Sequence, residues 1–579
     1  MIDFKYSEIL KLNKNFEKKL QSDAYKIAIL SNVTIHQIKE ILEYSLRIQL
    51  INAQVTIGNY DNIIQESNRF QDYHAAIIFW EAYNIIEGLH YKAEMINDNN
   101  LNDLIGKTKS EIDLVFRNFN KMPLVLINKF STTMFSSLKL KKNKLDYLAE
   151  QLNNYIDKII PDNCKVINLE TIFSKISVDN CFDFRYFYSS KAPYTISFFK
   201  RYSEFIRPYF IHANGKSKKV IIFDCDNTLW KGVLGEEGPK NIEMSKMTKD
   251  GAIFEEVQSI ALELYMNGVL ICLCSKNNHD DVMELINFNK DMLLKEKHIT
   301  VSKINWLDKA TNIKSISEEL NIGLDAIVFV DDSSFEINLI KNQLPEVKVI
   351  QVPGELYRYP QTLRKSFNLF YNPSLTEEDK NKTKMYKIEK KRKVAKHSFN
   401  SIEDYLKSLD LKMKIYEDDG SLVPRLSQMT QKTNQFNLTT QRYTENDINR
   451  FIQNPEVKVY SFSISDKYGD SGITGMGIIN LDNINYSAMI DTFLMSCRVI
   501  GRNLEFKFLD YIVKKVKQKN FLKIEANYFK TPKNIQVNKF YENNSFSLKE
   551  EKGFQKKYFI ETSSYKQKRN LNYIKIVNE

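Results

Sequence analysis

The chain has 579 residues, of which 43% are hydrophobic and 12% aromatic. This composition is that of a globular protein, and about 150 residues per domain predicts three or four domains. No apolar run reaches the ~18 residues that a membrane-spanning helix needs. The net charge of +11 suits an acidic partner, whereas the absence of a zinc finger, P-loop or aromatic-basic RNA-binding motif disfavours nucleic-acid binding.

The cysteines and the amino-terminal segment indicate a cytoplasmic protein. The six cysteines are scattered, lie mostly in apolar runs and form no CxxC pair, which favours reduced thiols. The first twenty residues lack the apolar core of a signal peptide and predict an amphipathic helix.

Residues 1–215 alternate short apolar strands with helices, which predicts a parallel, doubly wound α/β sheet. Ser31 follows the first predicted strand and could be a nucleophile, but such a hydrolase needs a base, typically in a late Asp-x-x-His pair. His212 is the only late histidine of this region, and no Asp stands three residues before it. We therefore expect a non-catalytic domain. Its predicted strands are Ala28–Leu30, Leu50–Ile57, Ala75–Phe79, Leu124–Ile127 and Lys165–Leu169.

A second unit, residues 216–372, opens with a buried strand, Val220–Phe223, that ends in Asp224, Cys225, Asp226, Asn227 and Thr228. A buried parallel strand with carboxylates at its C-terminal end is where an open α/β sheet has its chemistry. Two close carboxylates favour a bound cation, and Mg²⁺ prefers oxygen ligands. An Asp- and Asn-rich turn at a strand end is the structural alternative.

Two later predicted strands of this unit also end in polar residues. Val269–Cys274 precedes Ser275, Lys276 and Asn277, where a hydroxyl and backbone N–H groups can bind a phosphate oxygen. Ala326–Val330 precedes Asp331 and Asp332, and Lys309 begins a helix between the two strands. The Gly-punctuated stretch 231–238 predicts a hairpin or flap beside the site.

The motifs DxDxT, Ser, Lys and DD, in this order over about a hundred residues, resemble the haloacid-dehalogenase (HAD) phosphohydrolase superfamily. The resemblance implies a Rossmann-like domain with Asp224 as nucleophile and Asp226 as general acid/base. Only about 45 residues separate Leu229 from Ser275, so we expect no large cap domain. The remaining implied roles are phosphate binding by Thr228, Ser275, Lys276 and Asn277, charge neutralisation by Lys309, and Mg²⁺ binding by Asp224, the backbone carbonyl of Asp226, and Asp331 or Asp332.

Residues 373–412 predict a charged helical linker. The run Lys387–Lys396 contains six Lys or Arg residues, a pattern that favours a solvated helix face over a docking surface for an acidic partner. Ser401 is the expected cap of the helix that follows.

Residues 413–579 predict an α+β domain, with strands that include Val457–Ser465, Gly472–Ile479 and Ala488–Leu494. The last of these precedes Arg498, Gly501, Arg502, Asn503 and a helix. This order, a strand, the motif R-x-x-G-x-N and a helix, resembles the pyrophosphate loop of Gcn5-related N-acetyltransferases (GNAT). That loop holds coenzyme A phosphates on backbone N–H groups. The structural alternative is an ordinary helix start. Asn503 stands where that family usually has Gly or Ala, and Glu505 or Tyr541 are the candidates for a general base.

The phrases DCDNTLWKGVLGEEG, LCSKNN, FVDDSSFE, TQKTNQFNLTT and IDTFLMSCRVIGRN occur in this order and resemble the FkbH-like proteins of HAD subfamily IIIC, over nearly the whole chain. The resemblance implies a degenerate SGNH-like, flavodoxin-like first domain in which Ser31-Asn32 replaces a hydrolase's Gly-Asp-Ser. It further implies loading of a glyceryl unit from 1,3-bisphosphoglycerate onto the phosphopantetheine thiol of an acidic acyl carrier protein, with loss of phosphate, in polyketide-type or related biosynthesis.

Three questions stay open at the level of sequence. Cys225 could carry the glyceryl group as a thioester, or it could pack in the core, because side chains alternate along a strand and point it away from Asp224. The GNAT-like domain could dock a phosphopantetheine arm or bind coenzyme A. The alternatives to carrier loading are a phosphatase fused to an active acyltransferase in surface-glycan precursor biosynthesis, and a scaffold of inactive domains, which the complete HAD-type residue set disfavours.

Overall fold

The structure is a computed structural model that describes residues 4–20, 23–136, 141–373, 376–396, 399, 401–567 and 569–577. Five positions of the predicted linker, 374, 375, 397, 398 and 400, lie outside this description. The chain divides into two compact units, one formed by Met1–Asn214 with Tyr443–Asp447 and the other by Gly215–Arg442 with Ile448–Glu579.

The first unit contains a five-stranded sheet in which all neighbouring strands are parallel. Its order β2-β1-β3-β4-β5 is that of flavodoxin-like doubly wound sheets, so the predicted parallel α/β architecture is confirmed. β3 and β4 are buried throughout, as runs of consecutive apolar residues predict for strands covered on both faces. The strands are β1 Tyr25–Ser31, β2 Ala53–Ile57, β3 Ala75–Phe79, β4 Leu124–Asn128 and β5 Cys164–Ile167.

Helices surround this sheet. The predicted amino-terminal amphipathic helix is present as α1, which buries Ile9 and Asn13. The Ser31 hydroxyl donates to the Val33 carbonyl oxygen (2.8 Å) and accepts from the Val33 N–H (3.0 Å), so it stabilises a local turn. The helices are α1 Tyr6–Lys19, α2 Ile38–Arg47, α3 Ile63–Arg69, α4 Leu89–Lys92, α5 Asp98–Asn118, α6 Thr133–Ser136, α7 Lys144–Ile159, α8 Glu170–Ile176, α9 Phe184–Ser190 and α10 Ile196–Ala213.

The second unit begins with another five-stranded parallel sheet, of order β10-β9-β6-β7-β8. Side chains alternate between its two faces: Ile221 and Phe223 pack into one apolar cluster, and Val220 and Ile222 into the other. The elements are β6 Val220–Phe223, α11 Leu234–Glu237, α12 Lys249–Met266, β7 Leu270–Ser275, α13 His279–Phe288, β8 Ile299–Ile304, α14 Lys309–Leu320, β9 Ile327–Asp331, α15 Ser334–Gln343, β10 Lys348–Gln351 and α16 Tyr359–Arg364.

A mixed eight-stranded sheet completes the second unit, with the order β16-β17-β15-β14-β13-β12-β11-β18. Its apolar core lies largely between the sheet and α22. The elements are β11 Leu411–Glu417, α20 Val423–Lys432, α21 Glu445–Gln453 (of which Glu445–Asp447 belong to the first unit), β12 Val457–Asp466, β13 Gly469–Asp482, β14 Ser487–Met495, α22 Leu504–Gln518, β15 Lys523–Phe529, β16 Ser547–Lys552, β17 Gln555–Glu561 and β18 Ile574–Val577.

Three helices connect the two sheets of this unit: α17 Glu377–Lys380, α18 Lys382–Lys396 and α19 Ile402–Ser408. Ser401 caps α19 as predicted, because its side chain accepts from the Asp404 N–H. The expectation of a solvated face is wrong for part of α18. Arg392 is only 2% exposed and forms a bidentate ion pair with Asp466 at 2.7 and 2.8 Å. Among the described residues, no helix is both long and apolar enough to cross a membrane.

Candidate active site

Parallel strands bring the predicted site residues to one edge of the first sheet of the second unit. Phe223 at the end of β6 lies opposite Val330 of β9 and Leu273 of β7. The residues that follow these positions therefore emerge side by side. The Asp224 N–H continues the ladder by donating to the Val330 carbonyl oxygen at 2.9 Å.

Lys309 connects two of the carboxylates at this edge. Its Nζ lies 2.6 Å from Asp331 Oδ2 and 3.0 Å from Asp224 Oδ1, and all three side chains are buried. Burial acts to lower the pKa of Lys309, but the charges of Asp224 and Asp331 outweigh this effect and raise it. Lys309 is therefore a fixed positive charge beside the predicted nucleophile.

Asp224, Asp331 and Asp332 form the candidate metal site. Each offers a carboxylate oxygen, and these atoms lie within 4.8 Å of one another. Burial, followed by the charge of Asp224, raises the pKa of Asp331 to about 7 and also raises that of Asp332. A hard divalent cation would relieve this repulsion, and an all-oxygen donor set fits Mg²⁺.

The Asp226 carboxylate lies outside this cluster and is held by its own hydrogen bonds. Its Oδ1 accepts from Trp230 Nε1 (2.9 Å) and the Leu234 N–H (3.1 Å), and its Oδ2 accepts from Asn277 Nδ2 (2.9 Å). Burial raises its pKa although the first two bonds act to lower it. The side chain thus has the fixed orientation and elevated pKa that a general acid requires. The metal ligand that the resemblance implies for Asp226 is its backbone carbonyl, which stays a prediction.

The predicted flap supplies part of this support. Residues 231–238 include the short helix α11, and Lys231 forms an antiparallel bridge with Glu243. The Trp230 side chain is completely buried. The stretch therefore folds against the core and orients Asp226 through its backbone.

The four predicted phosphate ligands differ in what they contact. Ser275 and Thr228 are buried at the site, and within the described part of the chain Thr228 Oγ1 has no hydrogen-bond partner. Asn277 is engaged by Asp226. Lys276 forms a 2.7 Å ion pair with Glu336, in the first turn of α15. Sequence reasoning missed this partner, although Glu336 follows the DD motif within the phrase FVDDSSFE.

Cys225 lies in the apolar core below the site. Its side chain is fully buried, in the same cluster as Leu229 and Trp230. Burial, followed by the charges of Asp224 and Asp226, raises the pKa of its thiol well above the ordinary value. The nucleophilic form of cysteine is the thiolate, so this geometry favours the packing alternative over the acyl carrier.

The predicted pyrophosphate loop has the expected position between β14 and α22. Asn503 has φ of 62°, a left-handed conformation that Asn tolerates better than most residues, which accounts for its presence where Gly is usual. α18 covers both loop arginines: Arg502 pairs with Glu389, and Arg498 contacts Met385. Gly501 faces open space, since a Cβ atom there would meet no neighbour.

The adjacent strands β14 and β15 separate toward their C-terminal ends, and a loop of the same chain fills the gap. Pairing covers only Ser487–Ile490 with Lys523–Ala526. Beyond it, the Leu438 N–H donates to the Phe493 carbonyl oxygen (3.1 Å), and the Phe529 N–H donates to the Leu438 carbonyl oxygen (2.8 Å). Leu438 of the same chain therefore takes up the hydrogen bonds of Phe493 and Phe529, which the two separated strands do not make with each other.

The two general-base candidates of this domain are both buried. Burial raises the pKa of Glu505 to about 7. Burial also raises the pKa of Tyr541, to which the Asp491 charge adds. Glu505 is thus the candidate whose proton exchanges near neutral pH.

Comparisons with solved structures find a similar chain that contains a phosphatase domain. The chain is 25% identical to the N-terminal part of the protein BF1531 from Bacteroides fragilis, which contains a phosphatase domain and was crystallised with Mg. That match has a TM-score of 0.55 and covers 64% of this chain and all of the other. No protein-family model matches the chain, and no curated protein matches it significantly.

Two acetyltransferases also show similarity over about a quarter of the chain. One is the spermidine/spermine N-acetyltransferase SpeG from Vibrio cholerae, with 14% identity, a TM-score of 0.22 and coverage of 26% of this chain and 95% of that one. The other is an acetyltransferase of the GNAT family from Desulfovibrio desulfuricans, with 13% identity, a TM-score of 0.22 and coverage of 26% and 99%. These scores are too low to bear on activity.

Proposed function

We propose that this chain is a Mg²⁺-dependent HAD-type phosphatase or phosphotransferase whose nucleophile is Asp224. The observation that carries the proposal is the position of Lys309, 3.0 Å from Asp224 and 2.6 Å from Asp331, beside three carboxylates that fit a divalent cation. The 25% identity to a phosphatase-containing chain crystallised with Mg supports it.

The residues of the site provide each step of phosphoryl transfer. An Asp224 oxygen forms a bond to phosphorus as the bond from phosphorus to the leaving oxygen breaks, and Asp226 donates its proton to that oxygen. Asp226 then takes a proton from the water that attacks the aspartyl phosphate, which regenerates Asp224 and releases phosphate. Lys309 offsets the negative charge of Asp224 and of the phosphoryl group throughout.

Asp224, Asp331 and Asp332 would hold the Mg²⁺. A bound Mg²⁺ would neutralise charge on the transferring phosphoryl oxygens. The buried hydroxyls of Thr228 and Ser275 lie at the same edge and would orient the phosphate, and Thr228 Oγ1 is the hydroxyl that needs a partner. Lys276 would take part only if a substrate displaced Glu336.

Hydrolysis of p-nitrophenyl phosphate with Mg²⁺ tests the proposal. We expect Asp224→Asn to abolish turnover and Asp226→Asn to lower kcat by about 10² to 10⁴-fold, the range for a lost general acid. EDTA should abolish the wild-type rate. Asp280→Asn, an exposed carboxylate in the first turn of α13, is the matched control. Full activity of Asp224→Asn would contradict the assignment.

We further propose, from the FkbH-like resemblance, that the substrate is 1,3-bisphosphoglycerate and the acceptor an acyl carrier protein. The carrier thiol would form a bond to the acyl carbon as the bond from that carbon to the phosphate oxygen breaks, so that inorganic phosphate leaves and the thiol proton passes to solvent. Asp224 would take the other phosphoryl group, which leaves a hydroxyl on the glyceryl unit. Between Leu229 and the start of β7 at Leu270 the only α-helices or β-strands are α11 and α12. No cap domain therefore lies there, and a site without a cap suits a substrate presented on a protein.

Incubation with Mg²⁺, 1,3-bisphosphoglycerate and a holo-carrier protein tests this reaction by mass spectrometry. We expect a glyceryl adduct on the carrier, retained in Cys225→Ser because the thiol packs in the core. Release of phosphate without an adduct would leave a phosphatase and overturn carrier loading. An adduct on the Cys225 peptide would instead assign the acyl-carrier role to that residue.

Within this proposal, the loop Arg498–Asn503 docks the phosphopantetheine arm. Arg502 is engaged by Glu389, so Arg498 is the residue to substitute. We expect Arg498→Ala to lower the rate of carrier loading relative to the rate of ester hydrolysis. An equal loss of both rates would mean that the residue stabilises the fold and does not dock the arm.

A further inference from the structure

A cavity of about 220 Å³ lies within the second unit, at the sheet edge opposite the candidate active site. Residues of the segments 215–219, which precedes β6, and 321–326, which precedes β9, form one wall; Lys218 and Leu324 do not line it. Asp224 follows β6 at its other end, about 16 Å from Lys219 at 3.3 Å per residue. The remaining walls come from α17, α18, α20 with residues 433–435, the segment after β14, and Lys533.

The charge of this cavity is strongly unbalanced. Seven Lys or Arg residues line it, against three Asp or Glu residues. The most buried of the acids, Asp379, already accepts from Gln428 Nε2 at 2.5 Å and lies 3.3 Å from Lys432 Nζ. The other two acids, Glu378 and Asp325, lie 3.6 Å from Arg425 and 2.5 Å from Lys533. Among the described residues that line the cavity, positive charges therefore exceed negative ones by four.

Neutral groups orient the cations that face the cavity. Lys382 Nζ donates to the Gly268 carbonyl oxygen at 3.0 Å. The Arg425 guanidinium donates to the Ile473 carbonyl oxygen at 3.0 Å and to Gln428 Oε1 at 2.6 Å. It also lies 3.6 Å from Glu378 Oε1, which offsets part of its charge. The hydrogen bonds to neutral groups fix the side chains in place without cancelling their charge.

The crowding of like charges acts on the lysines and arginine that line the cavity. Burial, with the neighbouring cations Lys432, Lys219 and Arg498, lowers the pKa of Lys382 to about 7. Burial and nearby cations also lower the pKa of Lys432 to about 8 and of Arg425 to about 10. A bound anion would reduce this repulsion and raise these pKa values, which favours the charged form of Lys382 near neutral pH.

We propose that this cavity is a binding site for a phosphate dianion, as inorganic phosphate or as a small phosphate monoester. A guanidinium fork and ammonium groups in a partly desolvated pocket are the donors that proteins use for phosphate. The site is separate from the chemistry at Asp224 and needs no carrier protein, although it shares Arg498 with the loop proposed to dock the phosphopantetheine arm. If the ligand is inorganic phosphate, the cavity would bind the product of the proposed phosphatase reaction. If the ligand is a monoester, the cavity would bind a metabolite at a second site, away from Asp224.

Cys497 provides a local probe of occupancy. It lines the cavity and is partly exposed, whereas the five other cysteines are buried. We would alkylate the full-length protein with iodoacetamide and follow the Cys497 peptide by mass spectrometry. At a phosphate concentration ten times the dissociation constant we expect labelling to slow about tenfold, because only the free fraction reacts.

Substitutions distinguish phosphate binding in this cavity from general screening of charge by salt. Lys382→Gln with Arg425→Gln should abolish protection by phosphate, whereas Lys384→Gln, an exposed lysine on the same helix, should retain it. Arg425→Lys keeps the charge and should retain partial protection even if the double variant unfolds, which circular dichroism would reveal. The proposal would be overturned if sodium chloride at matched ionic strength protected Cys497 equally. It would also be overturned if phosphate still protected Cys497 fully in the folded double variant.

The two sources of the dianion are distinguished by comparing inorganic phosphate with glycerol 3-phosphate as protecting ligands. Stronger protection by phosphate identifies a product site, and stronger protection by the ester identifies a metabolite site. Protection should persist in Asp224→Asn, so the outcome does not depend on whether the proposed phosphatase activity exists. Protection by neither ligand would refute the cavity proposal alone.

Discussion

Lys309 is the residue that makes the buried carboxylates of the candidate site compatible with a folded chain. It is the first residue of α14, where a positive charge opposes the helix dipole. Contacts at 3.0 Å with Asp224 and 2.6 Å with Asp331 offset that cost. The position of Lys309 at the start of a helix is therefore explained by its contacts with two buried carboxylates and not by helix propensity.

Glu81 is a second buried carboxylate, in the first unit, and it lacks a cationic partner of this kind among the described residues. Its side chain accepts from Tyr194 at 2.5 Å, and burial raises its pKa to about 7. The folded form therefore keeps its proton at pH values where the unfolded form has lost it. Below about pH 4.5 both forms are protonated, and above about pH 7 both are ionised.

We expect the first unit to lose stability as the pH rises from about 4.5 to 7, because the unfolded chain ionises first. Glu81→Gln keeps the size and polarity of the protonated group and removes this loss. It should raise the free energy of unfolding at pH 8, relative to pH 4, by up to about 3 kcal/mol. Hydrogen exchange of β1 and β3 at several pH values measures the effect.

Glu87→Gln is the control for this pH dependence, since Glu87 is exposed on the same segment. It should leave the profile of the wild-type protein intact. If Glu81→Gln shifted stability equally at pH 4 and pH 8, the ionisation of Glu81 would not be the cause.

Trp230 and the flap at 231–238 both support the side chain of Asp226, the proposed general acid. Trp230 Nε1 and the Leu234 N–H both donate to Asp226 Oδ1 and lower its pKa. Trp230→Phe removes one donor but keeps an aromatic ring in the core. We expect the pH limb that reports Asp226 to move to higher pH in the kcat profile for p-nitrophenyl phosphate.

Trp306→Phe is the matched control for this shift, because the Trp306 side chain is 76% exposed. Its kcat profile should coincide with that of the wild type. A Trp230→Phe profile with a lower plateau but unmoved limbs would show that the indole supports packing and leaves the pKa of Asp226 unchanged.

Strands with consecutive apolar residues were predictable, and polar edge strands were not. Ala75–Phe79 and Val220–Phe223 are predicted with their observed bounds, because burial on both faces requires an uninterrupted apolar run. β16, Ser547–Lys552, has the sequence SLKEEK and is mostly exposed. Its extended conformation depends on pairing with β17, which no local pattern encodes.

The candidate site was predictable as a set because parallel strands end at a common edge, but its internal connections were not. Asp224 follows β6, and Ser275 and Asp331 are the last residues of the neighbouring strands β7 and β9, so their proximity is a consequence of sheet order. The pairing of Lys276 with Glu336 crosses 60 positions of the chain. The burial of Arg392 against Asp466 crosses 74, so sequence spacing alone could not separate it from a solvated helix face.

These long-range contacts explain why the two sheets of the second unit form one compact body. α18 pairs with both: it contacts β8 of the first sheet and β13 of the second, and Arg392 and Glu389 connect it to Asp466 and Arg502. A ligand that stabilises the first sheet should therefore also stabilise the second. The strands of the first unit should not respond.

Magnesium binding tests this coupling. At a Mg²⁺ concentration 100 times the dissociation constant, the free energy of unfolding of the second unit should rise by about 2.7 kcal/mol. Hydrogen exchange at β13 should slow as much as at β6, with β3 of the first unit unchanged, and Asp224→Asn should remove the effect. Slower exchange restricted to β6, β7 and β9 would instead show that the two sheets unfold separately and that α18 transmits no stability between them.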